Sequence, residues 1–412
     1  MCAKLKPFRA IRPTRDKVHL VASRPYYTYN KNVLEAKLES NPYSFIHIIN
    51  PEFNKEDKTE PNSNERFQNV RNKYEEFKGK NIFIQDENEC FYIYRQSGEK
   101  QDYIGIIAGA SVDDYEQGKI KIHEQTLTER EEMFKRYLDI CGFNAEPVLL
   151  TYKDVDSINQ FIKSFTKNRP EYEFTTTDIL KHEVWVVSEE KDIAFLKNEF
   201  EKVPHVYIAD GHHRSASSYL LAKERKANNP HHTGNEDYNF FLSFYITETS
   251  LDIFDFNRLI TDTNGLNEAQ ILEKISTHFT IEKTTLDFKP TQLHEFSLHT
   301  ENACYKLNYT IDVSAKTAVE KLDAHILSTQ ILEPLFGIKD LKTDKRAYFM
   351  EGIRGVQKLR SDIEKGKAKL AFGLYPVSVN QLKEIADTNS IMPPKSTWIE
   401  PKMRSGLIIY EF

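Results

Sequence analysis

"VYIADGHHRSASSYLLAKE", residues 206–224, sets an acid, a glycine, two histidines and an arginine between two regular segments. Val206 to Ala209 reads as a short buried strand. Ser215 to Glu224 reads as a helix with Ala216, Tyr219, Leu220 and Ala222 mostly on one side. A strand that enters a helix through glycine makes an anion site, because the first N–H groups of a helix have no intrahelical partner and point outward. Gly211 lets the backbone approach a ligand closely. Arg214 can grip a phosphate with two parallel hydrogen bonds. His212 and His213 can donate to phosphate oxygens or move protons. Asp210 does not suit a pure phosphate cradle, since it would repel the ligand. It suits holding Mg²⁺, or accepting a proton from a hydroxyl nucleophile. An acid beside phosphate donors points to phosphoryl transfer. The plainer reading makes Asp210 a helix cap and the histidines surface residues.

Three other stretches offer matching groups. In "KIHEQT", His123 and Glu124 end an alternating strand before a helix. They can supply a ligand contact and a second carboxylate, or only an exposed ion pair between Glu124 and Lys121. "IMPPKSTWIEPKMRSG", residues 391–406, is stiffened by Pro393 and Pro394. It carries Lys395, Lys402 and Arg404 with the hydroxyls of Ser396 and Thr397, a content that suits a polyanion or a solvated basic loop. "GIRG", residues 352–355, would let Arg354 approach a ligand, and equally suits a helix start. His231 and His232 are adjacent and point apart, so zinc is not expected there. No Walker loop, G-x-G-x-x-G, kinase signature or G-x-S-x-G elbow occurs.

The chain around these motifs has 412 residues, enough for one large core or two lobes, with 26 Phe and 21 Tyr to fill it. A net charge of -6 argues against a nucleic-acid face. Cys2, Cys90, Cys141 and Cys304 are far apart, as expected of free thiols in a reducing cytoplasm. The start lacks the apolar stretch of a signal peptide, and no run is long enough to span a membrane. Alternation at Val18, Leu20 and Ala22 reads as extended, and "SFIHIINPEF" as a buried strand ended by Pro51. Residues 119–125 read as a strand, and Thr128 with Glu131 as a capping box. Gly142 reads as a helix C-cap, residues 224–237 as a mobile loop, and "YNFFLSFYI" as a central strand. Residues 294–300 and 303–311 read as a hairpin, and 318–336 as one amphipathic helix. The fold class is mixed α/β, an α+β arrangement of two lobes, 1–250 and 251–412, without an internal repeat.

"PFRAIRP" (7–13), "NPYSFIHIINPE" (41–52), "GKIKIHEQT" (118–126), "ADGHHRSAS" (209–217) and "MPPKSTWIEPKMRSGL" (392–407) together resemble, in this order, a bacterial and protist family long catalogued as of unknown function. Some of its members are pyrophosphate-dependent serine kinases. The resemblance implies a ParB/sulfiredoxin-like core in the first lobe, a fold shared with the archaeal free-serine kinase, and a second α/β lobe closing the active site. It implies that L-serine is phosphorylated to O-phosphoserine with Mg²⁺ assisting. Asp210, Gly211, His212, His213 and Arg214 match the family's turn. Glu124 follows a histidine in the matching "HE-T" element, and Lys395, Ser396 and Thr397 match its C-terminal loop. One departure is Tyr27 in "SRPYYTY", where many members carry an acid. The expected assignment makes Asp210 or Glu124 the base, with His212 beside them. Gly211, His213, Arg214, His123, Arg354, Lys395, Ser396, Thr397, Lys402 and Arg404 surround substrate and phosphate. Two rivals stand beside it: the same reaction with ATP or ADP, and a ParB-like nucleotide- or DNA-binding regulator without catalysis.

Overall fold

The computed structural model describes residues 3–53 and 56–412. The chain divides into two compact units. Unit 1 comprises the chain up to Ile122, Thr126–Leu251 and Pro401–Phe412; unit 2 comprises His123–Gln125 and Asp252–Glu400.

Unit 1 is built on a nine-stranded mixed sheet. From one edge the strands are Ile120–Lys121, Val206–Asp210, Val148–Tyr152, Phe240–Thr247, Asp102–Ser111, Phe91–Ser97, Lys181–Val187 and Tyr172–Thr175, with Leu5–Lys6 also pairing with Asp102–Ser111. Phe240–Thr247 is central, as apolar residues on both of its faces require, and every residue after Phe240 is buried. Gly105 faces it across the sheet. A Cβ there would come 2.1 Å from the Tyr245 carbonyl oxygen, so only glycine permits the approach. Ile106, Leu150, Ile208 and Tyr245 of the sheet pack with Ile158 and Ile162 of helix Asp156–Phe165 and Leu196 and Phe200 of helix Glu190–Phe200. A second core gathers Phe45, Phe67, Tyr74, Phe77 and Phe143 around helix Asn64–Gly79.

Unit 2 holds a six-stranded antiparallel sheet, ordered Phe279–Thr284, Cys304–Tyr309, Glu295–His299, Leu370–Gly373, Phe256–Ile260 and Ala347–Glu351. The expected hairpin is its Glu295–His299/Cys304–Tyr309 pair.

Several local expectations are corrected. Residues 46–49 are a short helix, Ile46–Ile49, and Val18–Val21 is helical too; in both, apolar spacing too short to separate the two periods misled the reading. Only Ile120–Lys121 of the 119–125 stretch is strand. Helix Thr128–Cys141 starts where expected but has no capping box, because the Glu131 carboxylate takes the hydroxyl of Thr126 instead. Gly142 ends it at φ 72, as its position predicts. Residues 318–336 are not one α-helix: Asp323–Leu327 and Glu333–Phe336 flank a π-helical stretch, Ser328–Leu332. Cys90, Cys141 and Cys304 are free and buried, and Cys2 lies outside the described residues. No helix among the described residues is long and apolar enough to cross a membrane.

Candidate functional site

Strand Val206–Asp210 pairs with Val148–Tyr152, and the register shifts between Ile208 and Asp210. Such a bulge turns the last side chain out of the ladder. The chain then passes Gly211 at φ 104 into the 17-residue helix His212–Asn228. Gly211 occupies the N-cap position without a side-chain cap bond, so Asp210 is not the cap that the plainer reading made it. The helix runs past Glu224 into the stretch read as mobile loop. Its buried face is His212, Ser215–Ser218, Leu221 and Ala222, while Tyr219 and Leu220 are only half-buried. The small residues let the helix lie against Thr128–Cys141, with Lys135–Glu224 and Arg225–Asp139 ion pairs at 2.7 and 3.0 Å. Tyr219 is drawn aside by a 2.9 Å hydrogen bond from its hydroxyl to Glu116.

Around the turn, charges alternate. Lys402 Nζ is 3.2 Å from Asp210 Oδ2, and Arg214 Nη2 is 3.5 Å from the same oxygen. Arg214 Nη1 donates to the Pro147 carbonyl at 2.6 Å and lies 3.7 Å from Glu146. Ser405 donates to the other Glu146 oxygen at 2.7 Å. Burial opposes ionisation of Asp210, but Lys402 and Arg214 outweigh it and hold the carboxyl down to about 2. His212 is buried and His213 half-buried. The positive end of the helix and two side-chain cations thus converge on one carboxylate, in a place that would also attract an anion.

Arg404 is committed elsewhere. It is nearly fully buried, and its Nη2 bonds both Asp178 oxygens at 2.9 and 2.8 Å and Thr176 at 3.2 Å. Thr176 also meets His182 Nε2 at 3.2 Å, and Tyr94 meets His182 Nδ1 at 2.8 Å. Burial and the nearby Arg404 push His182 down to about 3, so it is neutral. Arg24, stacked on Tyr29, reaches Asp178 at 3.7 Å.

The remaining sequence candidates belong to unit 2. His123 is buried, and its carbonyl accepts from Met392 N at 2.9 Å, which ties it to the proline-rich loop. Glu124 is exposed. Lys395 is exposed at φ 55 with Nζ 5.6 Å from the Phe256 ring centre. Ser396 is buried and donates to the Pro393 carbonyl at 2.8 Å; Thr397 is half-buried. Arg354, in the short 3-10 turn Gly352–Arg354, pairs with Glu351 at 2.6 Å. The side chain of Tyr27 lies outside the described residues.

Glu146, Asp178, Arg24 and Ser405 were not among the sequence candidates. Glu146 precedes a proline at a strand start, and Asp178 sits in a polar turn; neither position carries a recognisable spacing. Ser23 pairs with Ser405 through mutual backbone bonds at 3.1 and 2.8 Å, so the two quoted motifs around them are neighbours.

Among the described residues no group of three or more His, Cys, Asp or Glu could hold a metal by itself. Mg²⁺ bound through a substrate's phosphates needs only one or two carboxylates, so Asp210 and Glu146 fit that lesser role.

The turn and its partners define an α/β protein whose strand–glycine–helix element sets a carboxylate among cations at an anion-attracting helix end. The chain belongs to the family described as "Protein of unknown function (DUF1015)", whose model matches residues 5–325. No curated protein matches it. Among solved structures it is similar to a free serine kinase variant in complex with AMP, at 12% identity and a TM-score of 0.37 over 75% of this chain and 93% of that one. It is also similar to a C-terminally truncated SbnI from Staphylococcus aureus, at 13% and 0.37 over 73% and 85%. A conserved hypothetical protein from Pyrococcus furiosus gives 13% and 0.35 over 74% and 94%. Likeness at that level does not carry function.

Proposed function

We propose that this chain is a phosphotransferase that moves a phosphoryl group from pyrophosphate to the hydroxyl of free L-serine, forming O-phosphoserine with Mg²⁺. The supporting observation is the pairing of Asp210 with Lys402 and Arg214, at 3.2 and 3.5 Å, where a strand enters a helix through Gly211. The motifs that resemble those of the pyrophosphate-dependent serine kinases support it at the level of sequence, and the ParB/sulfiredoxin-like core of unit 1 is part of the same proposal.

The serine oxygen attacks the terminal phosphorus, the bond to the bridging oxygen breaks, and orthophosphate leaves. The hydroxyl proton passes to a carboxylate, Asp210 or Glu124. A carboxylate held at about 2 accepts protons poorly. A polyanionic donor would draw Lys402 and Arg214 toward its own oxygens, and Asp210 would then regain basicity as the donor binds. His212, His213 and the helix N-terminus add donors for the transferring group. Bound Mg²⁺ would neutralise the phosphate charges, held by Glu146, and by Asp210 only where Glu124 is the base. Buried free thiols suit the cytoplasm.

Purified chain is mixed with serine, Mg²⁺ and pyrophosphate, ATP or ADP at equal concentration, and O-phosphoserine per minute is measured with and without chelator. Faster product from pyrophosphate, abolished by chelator, is expected. Faster product from a nucleotide would move the donor assignment, and no product from any donor would favour the non-catalytic regulator.

A further inference from the structure

Arg258 is wholly buried in strand Phe256–Ile260, and no carboxylate of the described residues pairs with it. Its Nη1 donates to the Phe256 carbonyl at 2.5 Å, and its Nη2 reaches the Pro394 carbonyl only at 3.4 Å. Its Nε has no hydrogen-bond partner among the described residues. The guanidinium lies 4.6 Å from the Phe349 ring centre. Burial alone pushes its pKa down. A guanidinium keeps its proton inside proteins, so the charge stays and its desolvation is uncompensated. Other buried arginines of this chain are not left so. Arg12 sits between Asp86 and Glu171 at 2.7 and 2.9 Å, and Arg404 holds Asp178 at 2.8 Å.

The segment covering Arg258 carries a second cation. Phe256 and Arg258 are two apart on one strand and share a face. The Phe256 ring is 6.0 Å from both Phe349 and Trp398, and the Lys395 ammonium lies 5.6 Å from its centre. Arg258 and Lys395 therefore flank one aromatic cluster. Lys395 is held at φ 55, a left-handed conformation unusual for a lysine, and the buried Ser396 hydroxyl turns back onto Pro393. The long Pro394 contact is a neutral oxygen facing a cation that an anionic oxygen would satisfy better.

We propose that Arg258, Lys395 and the Ser396 hydroxyl form an oxyanion site in unit 2, closed in this conformation by the Pro393–Thr397 segment, and that it takes a phosphate-type dianion or polyanion. Two cations and a hydroxyl donor match more charge than a single carboxylate offers. This rests on the preceding reading only for the class of ligand, a phosphate or pyrophosphate anion. The anion binding itself does not require that serine be the acceptor.

The test uses the full chain without serine. Pyrophosphate and orthophosphate affinities are measured by calorimetry for the unchanged protein, Arg258→Lys, Lys395→Met and Ser396→Ala. In parallel, Lys395 is labelled with an amine-reactive reagent and its modification followed by mass spectrometry. Each cation variant should weaken pyrophosphate binding by about 10-fold or more, and pyrophosphate should slow labelling of Lys395 in the unchanged protein. Weakening of orthophosphate alone would assign the site to free phosphate and keep the proposal. If Arg258→Lys fails to fold, Lys395→Met and the labelling decide. Unchanged affinity in the folded variants together with unprotected Lys395 would overturn the proposal and leave Arg258 a packing residue. Serine phosphorylation is assayed separately. Its absence beside Arg258-dependent anion binding would refute the kinase reading and spare this site, whereas turnover beside unaltered anion affinity would do the reverse.

Discussion

Lys402 Nζ lies 3.2 Å from Asp210 Oδ2, although 192 positions separate the two residues in the chain. Lys402 is the largest charge effect that keeps the carboxylate ionised.

Replacing Lys402 by Met removes the largest of the charge effects that hold Asp210 at about 2. The Asp210 pKa should rise toward the usual value of about 4. The acid limb of kcat/KM for serine phosphorylation should move up with it, and donor affinity should fall. An unmoved acid limb would separate Asp210 from the proton transfer.

Asp210→Asn should lower turnover by about 10³-fold while leaving the fold intact. The fold is spared because Gly211, not Asp210, holds the cap position. The variant should also alter acid stability. The Asp210 pKa lies below its unfolded value, so its stabilisation is complete above about pH 4 and is lost as pH falls from there toward 2. Thermal unfolding between pH 5 and 2 should therefore be less pH-dependent in the variant. Near-normal product formation by folded Asp210→Asn would end its catalytic assignment.

Arg404→Met should destabilise unit 1 by about 2–3 kcal/mol, because it leaves the half-buried Asp178 beside a neutral His182 with Arg24, 3.7 Å away, as its remaining cation among the described residues. Urea unfolding measures this. Asp178→Asn combined with Arg404→Met should cost less than the two single changes summed, since the pair is lost only once. Strict additivity would show that the two side chains do not interact in solution.

Gly211→Ala should cost about 1–2 kcal/mol, as an L side chain at φ 104 is strained. The new Cβ would also sit 3.1 Å from the Arg214 guanidinium. Pyrophosphate binding should weaken more than serine binding, because the proposed function sets Arg214 on the donor. An equal change in both would remove Arg214 from the donor side.

Long periodic or unbroken apolar segments were legible in the sequence. Phe240–Thr247 is central because it carries apolar residues on both faces, and Gly142 ends its helix because only glycine takes φ 72 without strain. Four-residue helices such as Ile46–Ile49 were not legible, since four positions cannot distinguish a period of 3.6 from one of 2. At the site, Asp210 and Arg214 announced themselves by crowding into one turn. Arg404 read as one of three like cations in a loop, and its commitment to Asp178 depends on a long-range contact that no local spacing encodes. Arg258 drew no notice for the converse reason. A lone arginine between apolar strand residues looks ordinary until its burial is known.

Pro401–Phe412 returns to unit 1 after the whole of unit 2 has been laid down, and Tyr410–Glu411 pairs there with Phe143–Asn144. The order of synthesis follows from this. Asp210 leaves the ribosome long before Lys402 exists, and for that interval its carboxylate and the buried side of Asp178 have no Lys402 or Arg404 to meet. A nascent chain halted near residue 400 would expose an unfinished edge at Phe143–Asn144 and a turn of altered charge.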